Sequence, residues 1–193
     1  MAKIEDLQLR SRRVLVRVDF NVPIDKETGD ITDDTRIRAA LPTIEYLREQ
    51  GAKVVLLSHY GRPKPNADGS RNMEKFSLHY LGIGGCLLEL LKGDDCRLFS
   101  TEDCIGKDAE AIIAEMEDGD VCLLENTRFY AEEEKGDAEF AQKLAALGDV
   151  YINDAFGAAH REHASTCTIA RYFTPENKAF GFLMRKEVQG AQR

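Results

Sequence analysis

The sequence predicts an α/β fold in which helices cover both faces of a parallel β-sheet. Short, continuously apolar runs alternate along the chain with longer segments whose apolar residues recur at helical spacing. Runs that are apolar at every position suit strands buried on both faces, as in parallel sheets. Regular alternation of strand and helix indicates βαβ units with right-handed crossovers. The expected architecture is a three-layer α/β/α arrangement of the Rossmann-like, doubly wound type.

β-Branched and aliphatic residues mark the positions of the strands. The run RVLVRV at 13–18 predicts the first strand, and KVVLL at 53–57 predicts the second. Two more strands are expected at 121–124 and 149–153, and a weaker one at 96–99. The residues alone therefore place five strands.

Helical periodicity predicts four helices between these runs, at 35–49, 81–92, 106–117 and 137–147. Pro42 lies inside the first, which predicts either a kink or a helix that begins near Pro42. Asp137 is the candidate N-cap of the last. The segment 60–75 is rich in Pro, Gly and Asn, which predicts a long loop. Loops of that length are usually functional or mobile.

Composition indicates one globular domain with a core of its own. The chain has 193 residues, of which 43% are hydrophobic and 31% charged, and its formal net charge is -8. This acidic balance makes nucleic acid an unexpected partner. No apolar stretch approaches the roughly 20 residues of a membrane helix, and the N-terminus resembles no secretory signal. A cytoplasmic location is expected, or a mature plastid form whose targeting segment has been removed.

Five cysteines are present, an odd number, and no C-x-x-C pattern occurs. This usage predicts small buried side chains in a reducing compartment. A zinc site is not expected from the spacing.

Basic residues stand at or near the ends of the predicted strands. Loops that follow parallel strands gather at one edge of the sheet, so cations placed there face a common cleft. Arginine is always charged and offers a planar fork of donors that matches phosphate or carboxylate. The chain therefore predicts a small polyanionic ligand, held by Arg36, Arg62, Arg128, Arg161 and His59.

The first two motifs each allow a functional and a structural interpretation. Asp19 and Asn21 alternate with Phe20 directly after the first strand, so they could hold the hydroxyls of a sugar acid or simply form an Asx turn. After the second strand, Gly61 lets the backbone approach a ligand, so that His59 and Arg62 could converge on one anion. The alternative there is a solvated arginine beside a surface histidine.

Two later motifs contain charged residues close together. Glu125 precedes Arg128 by three residues and is expected to orient it or to form a structural salt bridge with it. His160 and His163 form an H-x-x-H pattern, but no third ligand is placed, so zinc is disfavoured. The Gly-rich stretch 82–85 follows no strand and matches no nucleotide-binding pattern.

Taken together, these motifs resemble the phosphoglycerate kinase family, in the same order, over almost the entire chain. Several long motifs in register are far more specific than any one of them. The segments that carry the resemblance are VRVDFNVP (16–23), TRIRAALPTI (35–44), LLSHYGRPK (56–64), DCIG (103–106), LLENTRF (123–129) and YINDAFGAAHREHAST (151–166).

The resemblance implies a six-stranded parallel sheet and a protein of two similar-sized domains. Residues 1–180 are expected to form the N-terminal, phosphoglycerate-binding domain, and residues 181–193 the start of the interdomain hinge helix. The nucleotide-binding C-terminal domain is expected to be absent from this chain.

The resemblance also implies a role for each candidate residue. Asp19 and Asn21 would hold the hydroxyl and carboxylate end of the glycerate, and Arg36 would be the catalytic arginine that faces the transferred phosphoryl group. The phosphate that is not transferred would be clamped by a basic patch. That patch comprises His59, Arg62, Arg128 and Arg161, and the remaining substrate-binding positions are Phe20, Tyr60 and Gly61.

The implied enzyme is a monomeric, cytoplasmic phosphotransferase of glycolysis. It would transfer a phosphoryl group reversibly between 1,3-bisphosphoglycerate with ADP and 3-phosphoglycerate with ATP. Mg and ATP or ADP would be bound by the C-terminal domain and no cofactor by this chain, so these residues alone would bind 3-phosphoglycerate without turnover. No metal, membrane or nucleic acid is expected. The alternative is a free-standing, non-catalytic anion-binding or regulatory module.

Overall fold

A six-stranded, all-parallel sheet lies at the centre of the molecule. The computed structural model describes residues 2–158 and 161–191, with only the backbone described at 191. Within them the strands run in the order β3-β4-β2-β1-β5-β6, which confirms the expected fold class. Their bounds are β1 Arg13–Arg17, β2 Lys53–Leu57, β3 Leu98–Ser100, β4 Val121–Leu123, β5 Val150–Asn153 and β6 Lys178–Phe180.

Helices cover both faces of this sheet. In the described residues they are α1 Thr35–Glu49, α2 Met73–Phe76, α3 Ile83–Leu90, α4 Lys107–Ala114, α5 Ala131–Glu134, α6 Ala138–Ala145 and α7 Phe182–Ala191. Successive strand residues point to opposite faces, so Val14 and Val16 join one hydrophobic cluster with α1 and α3. Leu15, between them, joins a second cluster with α4 and α6. Helix α7 packs on α1, where the rings of Tyr46 and Phe182 meet edge-on at 5.2 Å.

Most predicted elements are confirmed, with small differences at their ends. The strand at 53–57 and the helix at 35–49 have the predicted bounds. Asp137 caps α6 as expected, since its Oδ2 accepts the Phe140 N–H at 2.9 Å. Helices α3 and α4 are shorter than their predicted ranges, and α2 begins inside the predicted loop 60–75.

The expectation that α1 begins near Pro42 is wrong. The helix runs from Thr35 to Glu49 with Pro42 inside it. Proline removes one helical donor, which here would have served the carbonyl of Arg38. Both residues are exposed, so they lie on the side of the helix where water can replace the missing donor.

Strand register brings the candidate loops to one edge. Arg17, the last residue of β1, pairs with Leu57 of β2 on one side and with Asn153 of β5 on the other. Leu123, the end of β4, pairs with Leu56 of β2. The segments that follow these strands therefore leave the sheet at nearly the same height.

The cysteines differ in their exposure to solvent. All five cysteines are free; Cys104 and Cys122 are buried, but Cys167 is exposed, so the expectation of buried side chains is wrong there. Burial raises the pKa of the Cys122 thiol to about 12. In the described part of the chain, no helix is long and apolar enough to span a membrane.

Candidate anion-binding site

The turn after β1 anchors one side of the site. The carboxylate of Asp19 accepts the backbone N–H of Asn21 at 3.1 Å, so the Asx turn considered from the sequence is present. The side-chain oxygen of Asn21 in turn accepts the N–H of Gly61 at 2.9 Å. Asn21 therefore joins the loops that follow β1 and β2.

Arg36 extends from the first turn of α1 over this turn. Its Nη1 lies 3.2 Å from both carboxylate oxygens of Asp19 and donates to the backbone oxygen of Asn21 at 3.0 Å. The Arg36 side chain is still 51% exposed. The ion pair thus orients a guanidinium that remains open to solvent on its outer side.

Phe20 and Tyr60 contribute to the shape of the site from within the core. The Phe20 ring is completely buried, and the substrate contact expected of this residue stays a prediction. The Phe20 N–H donates to Ser58 Oγ at 3.0 Å. Tyr60 is half-buried, and Asn126 bonds both its backbone N–H and its carbonyl.

Gly61 occupies a backbone conformation that only glycine adopts easily. Its φ is +58°, and a Cβ at this position would lie 3.2 Å from the ring of Phe76. The N–H of Gly61 is bonded to Asn21, and its carbonyl accepts Arg128 Nη1 at 2.9 Å. The glycine therefore links the turn after β1 to the loop after β4.

Arg128 is the most informative side chain at this edge. It is only 7% exposed, and both Nε and Nη2 are buried without a partner among the described residues. Burial lowers the pKa of Arg128, and the like charges of Arg161 and Arg17 lower it further against the opposing effect of Glu134. A buried guanidinium with unsatisfied donors requires an acceptor, and two parallel N–H groups match a phosphate.

Glu125 does not orient Arg128, contrary to the expectation from the sequence. Its carboxylate accepts Ser77 Oγ at 2.6 Å and the Leu78 N–H at 2.7 Å. Glu125 instead fixes the start of the segment that leads into α3. Within the described residues, Arg128 has no carboxylate partner.

Arg17 is a site residue that the strand pattern concealed. It is completely buried at the end of β1, where Nε donates to Ser165 Oγ at 2.7 Å and Nη1 donates to the Val18 carbonyl. Nη2 lies 2.8 Å from His59 Nδ1. A guanidinium has no acceptor atom, so Nδ1 accepts and the proton of a neutral His59 ring lies on Nε2.

The surroundings of His59 disfavour a positive charge on its ring, and its place in the basic patch stays a prediction. Burial lowers its pKa from 6.5 to about 2, and the charges of Arg17, Arg128, His163 and Arg161 act in the same direction. A neutral ring with Nε2–H can still donate one hydrogen bond to an anion. The positive charge therefore comes from the arginines.

Arg62 and Arg161 lie on the exposed side of the same edge. Neither side chain has a hydrogen-bond or ion-pair partner within residues 2–158 and 161–191. Thr166 Oγ1 holds the Arg161 carbonyl at 2.9 Å, and the Arg161 charge lowers the pKa of both His59 and Arg128. The structure thus brings the four predicted arginines to one edge of the sheet, with Arg36 on the Asp19 side.

Only one histidine of the H-x-x-H pattern lies in the part of the chain that the structure describes. His160 lies outside the described residues. His163 is buried, its Nδ1 has no hydrogen-bond partner among the residues that the structure describes, and burial lowers its pKa. No group of three or more His, Cys, Asp or Glu side chains arranged for a metal ion occurs in the described part of the chain.

A concavity of about 260 Å³ lies beside Arg36. Its lining includes the guanidinium of Arg36 and the carboxylates of Asp19 and Asp154. Another concavity, of about 490 Å³, is lined by the acidic segment 30–34, which would repel an anion. The other arginines of the edge line neither of the two.

The chain is similar in sequence to known proteins of one family. A family model described as phosphoglycerate kinase matches residues 4–193. The chain is similar to the phosphoglycerate kinase of Synechococcus sp. (strain RCC307), with 54% identity over 95% of this chain and 42% of that protein. It is also similar to that of Moorella thermoacetica, with 50% identity over 98% of this chain and 45% of that protein.

Solved structures show the same likeness. The crystal structure of phosphoglycerate kinase from Pyrococcus horikoshii OT3 has a TM-score of 0.81 and 34% identity, covering 100% of this chain and 45% of that one. The structure from Coxiella burnetii has a TM-score of 0.77 and 32% identity, covering 100% and 44%. The chain spans less than half the length of these relatives. Since the family model and the relatives agree along nearly all of its residues, the chain belongs to the phosphoglycerate kinase family.

Proposed function

We propose that the arginine-rich edge binds the phosphate of 3-phosphoglycerate or 1,3-bisphosphoglycerate, and that the chain is the substrate-binding half of a phosphoglycerate kinase. The observation that supports this most strongly is Arg128, whose buried Nε and Nη2 have no partner in the described residues. A phosphate oxygen on each would satisfy both donors in a bidentate geometry. Family membership supplies the substrate class.

The non-transferred phosphate is assigned to the patch around Arg128. Arg62 and Arg161 add exposed positive charge that can close over an anion, and His59 adds a neutral Nε2–H. Each charge-assisted hydrogen bond to phosphate contributes roughly 1.5–3 kcal/mol. The patch thus binds by fixed charge and direction, without covalent chemistry.

The reacting end of the substrate is assigned to the opposite side of the edge. Asp19 and Asn21 stand where they can orient the glycerate, and Asp19 holds Arg36 at 3.2 Å. Arg36 is the catalytic residue in this proposal, since its exposed guanidinium can stabilise charge on the phosphoryl group in flight. Phosphoryl transfer depends mainly on positioning and electrostatic stabilisation, which is what these residues supply.

The complete reaction is assigned to a longer protein. A bound nucleotide with Mg supplies the phosphoryl donor or acceptor and neutralises its phosphate charge. We assign that group to residues outside this chain. Residues 1–180 are assigned to the substrate domain and 181–193 to the start of a hinge helix, which is supported by α7 beginning at Phe182. The protein is proposed to act as a cytoplasmic monomer.

Calorimetric titration tests the binding proposal directly. The chain is titrated with 3-phosphoglycerate, glycerate and inorganic phosphate at low and high salt. We expect 3-phosphoglycerate to bind, glycerate to give no measurable heat, and added salt to weaken binding, because the exposed arginines are screened.

Two substitutions make the titration specific to the site. Arg128→Met removes the proposed clamp and should abolish binding. Arg38→Met is the matched control, since Arg38 is an exposed arginine of α1 that pairs with Asp34 at 2.9 Å, away from the patch. Equal binding of glycerate and 3-phosphoglycerate, or unchanged affinity in Arg128→Met, would overturn the proposal.

A further inference from the structure

A buried chain of hydrogen bonds runs from α5 to the candidate site. Glu133 is completely buried, and its carboxylate accepts the N–H of Ser165 at 2.7 Å and the hydroxyl of Ser165 at 2.5 Å. Ser165 Oγ accepts Arg17 Nε at 2.7 Å. Arg17 Nη2 then reaches His59 Nδ1 at 2.8 Å. Three interactions therefore connect a carboxylate to the ring at the edge of the sheet.

The direction of each hydrogen bond in this chain is fixed by its ends. A carboxylate only accepts and a guanidinium only donates. The single proton of the Ser165 hydroxyl must therefore point to Glu133, which leaves an oxygen lone pair for Arg17. The same argument makes His59 Nδ1 an acceptor and puts its ring proton on Nε2.

The same hydrogen bonds also compensate the buried charge of Arg17. Arg17 is completely buried, and no carboxylate lies within ion-pair distance of it in the described residues. Glu133 is the acidic residue connected to it, through one hydroxyl. Buried charges are strongly destabilising unless they are compensated and hydrogen-bonded. Ser165 allows the two charges to compensate each other while the guanidinium remains directed at His59.

We propose that Glu133 and Ser165 are positioning residues that hold Arg17 and thereby fix His59 as a neutral Nε2–H donor facing the anion. Neither residue contacts the ligand, and both act through Arg17. The inference rests on the proposed function only in its last step, where the Nε2–H meets a phosphate oxygen. Its first steps concern the ligand-free chain.

Nitrogen-15 NMR of the His59 ring tests this in the 193-residue chain without ligand. The charged and titratable groups that face the ring are Arg17, Arg128, His163 and Arg161. The proposal predicts one tautomer, protonated at Nε2, with no titration between about pH 5 and 8, where an ordinary histidine titrates near 6.5. A wild-type ring protonated at Nδ1, or one that titrates in this range, would overturn the proposal without any variant.

Four variants separate positioning from general packing. Ser165→Ala should give a mixture of tautomers, and Ser165→Thr, which keeps the hydroxyl, should restore the wild-type spectrum. Ser77→Ala is the matched control, because Ser77 is equally buried and donates to Glu125 at 2.6 Å in the same way, but does not contact Arg17. Glu133→Gln retains the size of the side chain and provides a second route if Ser165→Ala does not fold. An unchanged His59 spectrum in Glu133→Gln or in Ser165→Ala contradicts the proposal.

Affinity for inorganic phosphate tests the last step of the proposal, the contact between the His59 Nε2–H and a phosphate oxygen. Ser165→Ala should bind phosphate about tenfold more weakly than wild type, the equivalent of losing one charge-assisted hydrogen bond, while Ser77→Ala should bind it normally. If the wild type binds neither phosphate nor 3-phosphoglycerate, the proposed function fails, and the His59 spectra still decide the positioning role. If the wild type binds and the Ser165→Ala affinity is unchanged, the positioning role fails alone.

Discussion

Replacing Arg128 by methionine should stabilise the ligand-free chain while it destroys anion binding. Within the part of the chain that the structure describes, Arg128 is a buried charge with one hydrogen bond, to the Gly61 carbonyl at 2.9 Å, and its Nε and Nη2 are unsatisfied. Methionine has a similar length, no polar donor and a flexible chain that can fill the same space. Relief of the buried donors therefore opposes the loss of one hydrogen bond.

The magnitude follows from these contacts. Each buried, unsatisfied donor costs about 1–3 kcal/mol, and the charge-assisted bond to Gly61 contributes about 1.5–3 kcal/mol. The substitution removes two unsatisfied donors and only one hydrogen bond. We therefore expect the free energy of unfolding to rise by about 1–2 kcal/mol. For a chain of this size, that corresponds to roughly 2–4 °C in Tm per kcal/mol.

Urea unfolding at pH 7 measures this, with and without 3-phosphoglycerate. A ligand at 100 times its Kd stabilises the wild type by about 2.7 kcal/mol, and this increment should disappear in Arg128→Met. The control Arg38→Met should retain the ligand increment. A variant that is less stable than wild type without ligand, yet still stabilised by 3-phosphoglycerate, would refute the interpretation of Arg128 as an anion clamp.

Three further predictions concern pH and catalysis. Burial raises the pKa of Asp154 from 3.8 to about 6, so its contribution to stability is present below pH 3.8 and lost as the pH rises through about 6. Asp154→Asn should therefore have a higher free energy of unfolding in urea than wild type at pH 8, by up to about 3 kcal/mol, and this difference should vanish near pH 4. A difference that stays the same at both pH values would contradict this prediction. In a two-domain protein that includes this sequence, Arg36→Ala should lower kcat far more than it changes KM, whereas Arg62→Ala should mainly raise KM; a change in KM alone for Arg36→Ala would make Arg36 another anion clamp. These 193 residues alone should show no turnover in a coupled assay with ATP and 3-phosphoglycerate, and a rate near the ordinary 10 s⁻¹ or so would contradict the assignment of the nucleotide to residues outside the chain.

The position of the candidate site was predictable because parallel strands end at a common edge. Arg62 and Arg128 follow apolar runs in the sequence, and this order alone puts them together. Strand β6 was missed because Lys178–Phe180 is only three residues long and begins with a charged side chain. A sixth strand was expected only from the family resemblance.

The internal contacts of the site were not predictable from the sequence. Arg17 looks like a polar position in a strand, and the signal that could have found it is its place between Val16 and Val18 in an otherwise apolar run. The neutral state of His59 depends on Arg17 and on burial, which only the packed structure reveals. Glu133 and Ser165 are 32 residues apart and share no motif. Long-range side-chain pairing leaves no local pattern to detect.

The most direct test of the phosphate site observes the Arg128 Nε–H itself by NMR. The chain is labelled with nitrogen-15, 3-phosphoglycerate is added to saturation, and scalar coupling across the hydrogen bond between the Nε–H and the ligand phosphorus is measured. The proposed site predicts a cross peak between the two nuclei and a large shift of the Nε–H resonance, because this buried donor gains a charged acceptor on binding. Saturation by 3-phosphoglycerate with an unshifted, uncoupled Arg128 Nε–H would show that the phosphate binds elsewhere.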